Sequence, residues 1–586
     1  MVDAGGSGVR DADSEGASAG HGRHNHTQSD APAGTQIIDA AAERGRRGCG
    51  PAAEAWLDES VADTPITEGI PPSWSDRFVR AASQRLGGPL GRRADTAGRW
   101  WNPVRWALLV ATAVYLIGVL FRLKCRVTVA GESVDHFRWM CYSDIGILYQ
   151  LRGLMQGNVP YLDSGSYPVL EYPVLTGWFL QLLRVISSAL GAPTGSELSA
   201  QQQVDSTLVF VDVNTVVLGA LLLVAVWAQA RSVPHRPWDA IMVAASPCVA
   251  ATALINWDLL PVALTALGVL AWARKRPGWA GIWWGLGMAA KLYPLFLLGP
   301  LLFLCLRSDR LREFARMLLA FAIAWFVVNA PVLWLAPDSW LSFWTFNSDR
   351  SGDLGSIWYV LSLAGQPVED LNRLALAIFG LLCVAIAALI LVAPRRPRIG
   401  QVMFLVVAAF LLTNKVYSPQ YVLWLLPFVV LARPVWRDWL IFTVGELGYF
   451  AAIWWHLGGL LAPGADGPDK VYWLAVLVRM AAELWIVIVV VRDIWRPEHD
   501  VVRHPPGWDA TFDDPTGGVL DGAGDVDWLP LRRRPVGPGS LGDPRFPSVD
   551  GDRSPQTLDG LRLPSRDGKG DPEADDPEAD DPDHTP

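Results

Sequence analysis

Residues 207–230 read TLVFVDVNTVVLGALLLVAVWAQA, a run of 24 residues with one charged side chain. About 20 such residues are enough for a helix to cross a bilayer. Twelve further apolar segments follow the same pattern: 104–121, 174–190, 238–256, 257–273, 278–290, 292–306, 314–335, 372–393, 400–413, 419–432, 438–456 and 471–491. The pattern predicts an all-α, polytopic membrane protein in which the shorter segments are tilted, broken or shielded by protein.

The composition supports this fold class. Of 586 residues, 51% are hydrophobic and only 18% are charged, which excludes an ordinary soluble multidomain enzyme. The 29 tryptophans suit membrane interfaces and contacts with sugar rings. The net charge of −9 comes mainly from the two ends of the chain and suggests no nucleic-acid partner.

Three domains follow from the change in composition along the chain. Residues 1–100 predict a disordered cytoplasmic tail, because they are rich in small and polar residues without an apolar period. Residues 101–495 form the predicted transmembrane domain. Residues 496–586 are rich in Pro, Gly and Asp and predict a disordered acidic cytoplasmic tail.

Orientation follows from arginine and lysine clusters, which mark cytoplasmic loops. The clusters place two large outer loops at 122–173 and 336–370, and they place Lys291 and the segments around Asn256, 414–420 and 456–470 on the same outer face. Thirteen spans cannot leave both termini inside. One segment among 174–190, 207–230 and 238–256 is therefore re-entrant, interfacial or merged, which leaves about twelve spans in the cell membrane.

The first outer loop holds the leading candidate for chemistry. From Ile145 to Met155 the apolar residues Ile145, Leu148, Tyr149 and Leu151 recur at helical spacing, which predicts a short helix on the membrane surface. Ser143 or Asp144 can cap its N-terminus. Asp144 is thus either a helix cap or a general base kept ionised by the helix N-terminus.

Two lysines are candidates for binding a phosphate. Lys291 interrupts an apolar run, where a charge costs roughly 3 kcal/mol at mid-membrane depth, so it faces a cavity or snorkels to the interface. Lys415 lies in an outward turn and either contacts phosphate or is an ordinary loop lysine. Arg350 and His456, in outer loops, are weaker candidates for substrate binding.

Asn256 and Asp258 lie together between two abutting apolar segments. They can bind sugar hydroxyls, or Asp258 can cap the following helix.

Cysteine spacing predicts no metal site. The six cysteines include no CxxC pair, and no compact acidic cluster suits Mg²⁺, so we expect neither metal nor cofactor. Cys125 and Cys141 share the first outer loop. An oxidising outer face permits a disulfide between them, and two separate thiols are the alternative.

Residues 104–491 resemble the GT-C superfamily of polyprenyl-phosphate-dependent glycosyltransferases, and in particular glycosyltransferase family 87, the actinobacterial α-mannosyltransferases. The resemblance lies in the order of short motifs: Ser143-Asp144-Ile145 with Tyr149, Gly157 and Pro160-Tyr161; Tyr172-Pro173; Lys291-Leu292-Tyr293-Pro294; and Lys415 to Tyr421 with Tyr417.

This resemblance implies a GT-C-like bundle that transfers a sugar, with inversion, from a polyprenyl-phosphate-sugar to a lipid-linked cell-envelope glycan on the outer face. Mannose is the sugar it favours. Asp144 matches the candidate base, and Glu171 is the second choice, although Asp135 and Asp163 share the loop. The tyrosines of these motifs become candidates for substrate binding: Tyr149, Tyr161, Tyr293 and Tyr417.

Three alternatives stay open. The donor sugar can be arabinose on the same polyprenyl phosphate. A lipid or glycan transporter also carries charges and broken helices in the membrane, although residues 104–300 and 314–491 show no internal repeat. A non-catalytic scaffold for envelope assembly is the third alternative, and it predicts no catalytic effect of replacing Asp144.

Overall fold

The computed structural model describes residues 102–162, 167–461, 469–505 and 511–526. The predicted N-terminal tail lies outside the described residues. The described part is built from α-helices, short 3-10 turns and connecting segments, without a strand. The α-helices are α1 Pro103–Leu123, α2 Asp144–Leu151, α3 Val174–Ala189, α4 Ala200–Ser232, α5 Ala240–Ala244, α6 Pro247–Thr252, α7 Leu259–Ala273, α8 Pro277–Ala290, α9 Leu298–Arg307, α10 Leu311–Leu335, α11 Pro337–Asp349, α12 Ile357–Leu363, α13 Leu371–Val392, α14 Ile399–Thr413, α15 Val422–Ala432, α16 Trp436–Leu457 and α17 Lys470–Trp495.

The predicted all-α membrane fold is confirmed. Every apolar segment of the sequence coincides with one or two helices. Among the described residues, six helices are long and apolar enough to span a bilayer: α1, α4, α10, α13, α16 and α17. Five shorter apolar helices accompany them. The total of about twelve spans stays a prediction.

Of the three segments that could be re-entrant, interfacial or merged, segment 238–256 does not form a continuous helix. It forms α5 and α6, of five and six residues, with Pro247 in the first turn of α6. Because proline has no backbone N–H, it interrupts a helix but is tolerated at a helix start. Arg122 of α1 donates to the carbonyl of Ala251 at 2.9 Å, so the end of α1 is fixed to this broken segment.

Close packing of α8 against α10 fixes the helix that leads to Lys291. A Cβ atom at Gly281 would lie 2.1 Å from the carbonyl oxygen of Met317, and one at Gly285 would lie 2.4 Å from that of Phe321. Only glycine permits this approach. Small residues four apart are typical of tightly packed membrane helices.

The segments predicted to face outward meet at one end of the bundle. The N–H of Asp144 donates to the carbonyl of Ile255 at 2.8 Å. The N–H of Asp353 donates to the backbone carbonyl of Lys415, also at 2.8 Å. Cys125 and Cys141 form a disulfide that joins the end of α1 to the residues before α2, with Cα atoms 6.3 Å apart. The prediction that one face gathers these loops is consistent with these contacts.

The arginine clusters meet at the other end, where the chain continues past the predicted boundary at residue 495. Residues 497–505 and 511–526 pack against the helix ends, and we call them the C-terminal strap. Asp500 pairs with Arg398 at 2.7 Å, and Asp513 pairs with Arg396. The prediction of a disordered tail from 496 onward is therefore wrong for the strap, because its aspartates neutralise buried arginines. Residues 527–586 lie outside the described residues.

Candidate active site

Asp144 is the first residue of α2, and Ser143 is its cap. The Ser143 hydroxyl accepts the N–H of Ile145 at 3.3 Å and donates to the carbonyl of Leu254 at 2.7 Å. Because Ser143 satisfies the helix start, the carboxylate of Asp144 is not used as the cap. The helix N-terminus also favours a negative charge at this position.

The Asp144 carboxylate is half-buried among polar groups. The Asn256 amide donates to its Oδ2 at 2.9 Å, and the Tyr142 hydroxyl is a second hydrogen-bond partner. Burial raises the pKa of Asp144 above its ordinary value, while these two hydrogen bonds and the charge of Lys291 oppose the rise. A carboxylate with a raised pKa is a stronger base than an exposed one once it is ionised.

Lys291 lies at a break between helices. Its backbone is extended after α8, and the chain re-forms a 3-10 turn from Tyr293. The ammonium lies 3.2 Å from Asp258 Oδ1. Three aromatic rings surround it, with centroids 4.8 Å away for Tyr172, 5.6 Å for Trp424 and 5.8 Å for Tyr421. The sequence left Lys291 either facing a cavity or snorkelling to the interface, and these contacts surround its ammonium with protein groups.

Asn256 and Asp258 lie behind these groups, with 3% and 1% of their surface exposed. The Asn256 amide donates to both Asp144 and the Tyr172 hydroxyl. Asp258 Oδ1 also accepts the indole N–H of Trp424 at 2.7 Å, and the side chain makes no capping bond to α7. Both residues therefore orient the half-buried groups in front of them, and the helix-cap alternative for Asp258 is wrong.

Sequence reasoning did not list four aromatic members of this site: Tyr142, Tyr172, Tyr421 and Trp424. Tyr172 and Tyr421 belong to motifs that the sequence showed, at the start of α3 and beside the 414–420 turn. The signal that could have found them is their position in outer segments next to Asp144 and Lys291. Trp424 lies within an apolar helix, so its role follows only from the fold.

Three motif tyrosines have structural partners in the bundle. Tyr149 is buried, bonds Ser206 at 3.0 Å and stacks on a phenylalanine of α4. Tyr161 donates to the backbone carbonyl of Tyr172 at 2.9 Å. Tyr293 donates to Thr265 Oγ1 at 2.9 Å. These contacts give Tyr149 and Tyr293 packing roles, whereas Tyr161 also lines the aromatic cleft described below.

The cations of the second outer loop bond within that region. Lys415 donates to the carbonyls of Asn347 at 2.8 Å and Arg350 at 2.6 Å, at the end of α11. Burial lowers the pKa of Lys415, and the neighbouring charge of Arg350 adds to this effect. Arg350 itself pairs with Asp353 at 2.6 Å. Both cations therefore stabilise the loop, and phosphate contact by Lys415 and substrate binding by Arg350 stay predictions.

Tyr417 and His456 belong to a separate group on the α16–α17 side. Tyr417 is buried and donates to Glu446 at 2.9 Å. His456 bonds Asp469 at 2.7 Å and stacks on Tyr472 with ring centroids 4.0 Å apart. None of these three contacts joins them to Asp144.

The other acids of the first outer loop differ from Asp144 in their partners. Glu171 forms an ion pair with Arg152. Asp135 accepts the N–H groups of Phe137 and Arg138 at 3.1 and 2.9 Å, as a turn-stabilising aspartate does. Asp163 lies outside the described residues. Asp144 is thus the loop acid that the structure brings to Lys291 and Asn256.

A small aromatic cleft opens beside Tyr172. It runs between the start of α3 and helices α10 and α11, and Met288 and Leu292 bring it next to Lys291. Its remaining lining is largely aromatic: Tyr161, Trp325, Trp340, Phe343 and Trp344. The cleft therefore presents aromatic side chains beside the Lys291 cation.

Glycosyl transfer is the reaction indicated by comparison with known proteins. Residues 202–419 match the model of glycosyltransferase family 87. This family 87 match implies a membrane glycosyltransferase and agrees with the resemblance seen in the sequence motifs. It includes Asn256, Asp258 and Lys291 and begins after Asp144. A search of curated proteins finds no match to the chain.

Proposed function

We propose that the chain is an inverting glycosyltransferase that moves mannose from a polyprenyl-phosphate-sugar to a lipid-linked cell-envelope glycan on the outer face of the cell membrane. The observation that carries the proposal is that Asp144 and the Lys291 cation share one site. The half-buried carboxylate of Asp144 is not used as a helix cap. The family 87 match supports the reaction class. The proposed partners are membrane lipids, the lipid-linked donor and the lipid-linked acceptor.

The reaction is a single displacement. The acceptor hydroxyl attacks C1 of the donor sugar, and the bond between C1 and the phosphate oxygen breaks. Asp144 takes the hydroxyl proton, and polyprenyl phosphate leaves with the electron pair of the broken bond. Attack from the side opposite the phosphate inverts the configuration at C1. A general base contributes about 100- to 10,000-fold to such a rate.

Lys291 neutralises the negative charge that grows on the leaving phosphate. Electrostatic stabilisation of this kind is strongest where water is excluded, and the rings of Tyr172 and Tyr421 flank the ammonium. Asp258 forms an ion pair with the Lys291 ammonium and keeps it in position. Since Lys291 supplies the positive charge, the proposed mechanism calls for no metal or cofactor.

The aromatic cleft beside Tyr172 offers the apolar part of the donor an aromatic surface to contact. A polyprenyl chain bound there would lie between the start of α3 and helices α10 and α11 and present its phosphate near Lys291. This arrangement lets a lipid substrate reach the site without burying its charged group in hydrocarbon.

The test is transfer of labelled sugar from synthetic polyprenyl-phosphate-mannose to a membrane glycolipid extract, with purified full-length protein in lipid vesicles. We expect Asp144→Asn to lose about 100-fold or more of the wild-type rate. Asp212→Asn is a matched control, because Asp212 pairs with Arg126 on the surface of α4, away from the site. The control variant should retain the wild-type rate.

Other outcomes point to the alternatives. If Asp144→Asn is as active as the wild type, the base assignment fails and Glu171→Gln is tested next. Transfer from polyprenyl-phosphate-arabinose alone would change the proposed sugar and leave the mechanism in place. If neither donor supports transfer, lipid movement between vesicle leaflets distinguishes a transporter from a scaffold.

A further inference from the structure

A charged cluster is buried where α16 and α17 pack together, and the proposed mechanism does not use it. Arg479 and Glu483, one turn apart on α17, form an ion pair, and Glu446 of α16 lies next to them. All three are at most 3% exposed. Charges inside a membrane bundle are costly, so such clusters usually have a function.

Arg479 reaches out of the cluster to the second outer loop. Its guanidinium donates to the carbonyl of Gly355 at 3.1 Å and lies 3.6 Å from the centre of the Tyr417 ring. Gly355 has φ of +77°, and a Cβ there would lie 2.1 Å from the Tyr449 hydroxyl and 2.2 Å from the Tyr417 carbonyl. Arg479 therefore touches both the loop at Gly355 and the turn at Tyr417.

The loop and the turn are bonded to each other directly above Arg479. The N–H of Tyr417 donates to the carbonyl of Leu354 at 2.9 Å. The N–H of Gly355 donates to the Tyr472 hydroxyl at 2.8 Å. The Tyr449 hydroxyl donates to the Tyr417 carbonyl at 2.6 Å. Loop 353–355 and turn 415–417 thus form one hydrogen-bonded unit on the cluster.

The same turn continues into the aromatic wall of the candidate active site. Tyr421 follows Tyr417 by four residues, and their rings are 5.9 Å apart. Tyr421 stacks on Trp424 with centroids 4.0 Å apart. Both rings face the Lys291 ammonium. A shift of the turn would therefore displace two of the three rings around the cation.

We propose that Arg479 is a positioning residue for sugar transfer, which fixes the Tyr421–Trp424 wall at Lys291 by holding loop 353–355 and turn 415–417 together. The inference rests on the proposed function. It predicts that Arg479 affects donor binding more than proton removal, because Asp144 lies on a different element, α2.

The test compares wild type and Arg479→Lys as full-length proteins in vesicles. Lysine keeps the charge beside Glu483 but lacks the planar fork that reaches Gly355 and the Tyr417 ring. We expect hydrogen exchange at the amides of Gly355 and Tyr417 to accelerate about tenfold or more, with α2 unchanged. The KM for polyprenyl-phosphate-mannose should rise about tenfold, while kcat changes less than about threefold.

Two further variants make the result decisive. Gly355→Ala forces loop and turn apart without altering a charge, and it should reproduce both effects if Arg479→Lys folds poorly. Arg126→Lys is the matched control, since it changes an exposed ion pair on α4 and should alter neither quantity.

Unchanged exchange in both test variants overturns the inference, and so does faster exchange with an unchanged KM. If the wild type transfers no sugar from either donor, the proposed function fails and the catalytic part of this inference fails with it. The exchange data would still decide whether Arg479 holds the loop and turn together.

Discussion

Replacement of Asp500 by asparagine tests whether the C-terminal strap is part of the folded domain. The carboxylate accepts four hydrogen bonds: from Arg398 Nε at 2.7 Å, Arg398 Nη2 at 3.0 Å, the Gln401 amide at 3.2 Å and the Val502 N–H at 3.1 Å. Asp500 and Arg398 each have only 1% of their side chain exposed.

Asparagine has the same shape but presents an N–H₂ group to donors and leaves Arg398 without its buried counterion. Breaking a buried ion pair on one side costs about 3–5 kcal/mol. Arg398 keeps its bonds to the carbonyls of Leu431 and Ala432, at 2.8 and 2.6 Å, so we expect the lower part of this range.

The assay is the free energy of unfolding in detergent micelles. Asp370→Asn is the matched control, because Asp370 pairs with Arg373 on the surface and should cost less than about 1 kcal/mol. A loss below about 1 kcal/mol for Asp500→Asn would refute the reasoning. Deletion of 497–586 should lower the free energy of unfolding at least as much as Asp500→Asn does. Deletion of 527–586, which leaves the strap in place, should lower it less than Asp500→Asn does.

Acid provides a second measurement of the same contact. Burial opposes ionisation of Asp500, but the charge and hydrogen bonds of Arg398 outweigh it and lower the pKa of Asp500. A lowered pKa contributes stability that is present above the unfolded-state pKa and is lost as pH falls through the folded-state value. Asp500→Asn should therefore flatten the acid side of the stability profile.

Three further predictions concern the end of the bundle that holds Asp144. Asn256→Ala removes a hydrogen bond to ionised Asp144, so we expect the pKa of Asp144 to rise. The fall of kcat/KM on the acid side of its pH profile should then move to higher pH. An unchanged acid side would assign that titration to another group. Lys291→Met should reduce kcat/KM by about 100- to 1,000-fold, and a loss below tenfold would remove Lys291 from the mechanism. Joint replacement of Cys125 and Cys141 by serine should lower the free energy of unfolding by about 3 kcal/mol. Equal stability of the wild-type protein with and without reductant would contradict this.

The sequence predicted most of the helical framework because membrane helices depend on a simple physical requirement. Every backbone polar group in hydrocarbon must be bonded within its own helix, so long apolar runs identify helices directly. The break in 238–256 was not located from sequence, because Pro247 is compatible with both a helix start and a bend. The strap was missed because its folding depends on arginines far away in the chain, and its own composition is that of a solvated tail.

The candidate site was predicted in part. Asp144 and Lys291 stand out because a carboxylate at a helix start and a lysine in an apolar run both need an explanation. Tyr149 and Tyr293 do not differ in sequence from substrate-binding tyrosines, and only their bonds to Ser206 and Thr265 reveal a packing role. Trp424 could not be found, because a tryptophan within an apolar helix has the same local pattern whether it faces lipid or a cation.

The strap has a consequence for the order in which the protein is made. Residues 497–526 leave the ribosome after every helix of the described domain, so Arg396 and Arg398 lack their aspartate partners while the helices insert. Unpaired arginines are what retains a loop on the cytoplasmic side. The same side chains can therefore direct topology during synthesis and, once Asp500 and Asp513 arrive, become the buried contacts that close the finished bundle.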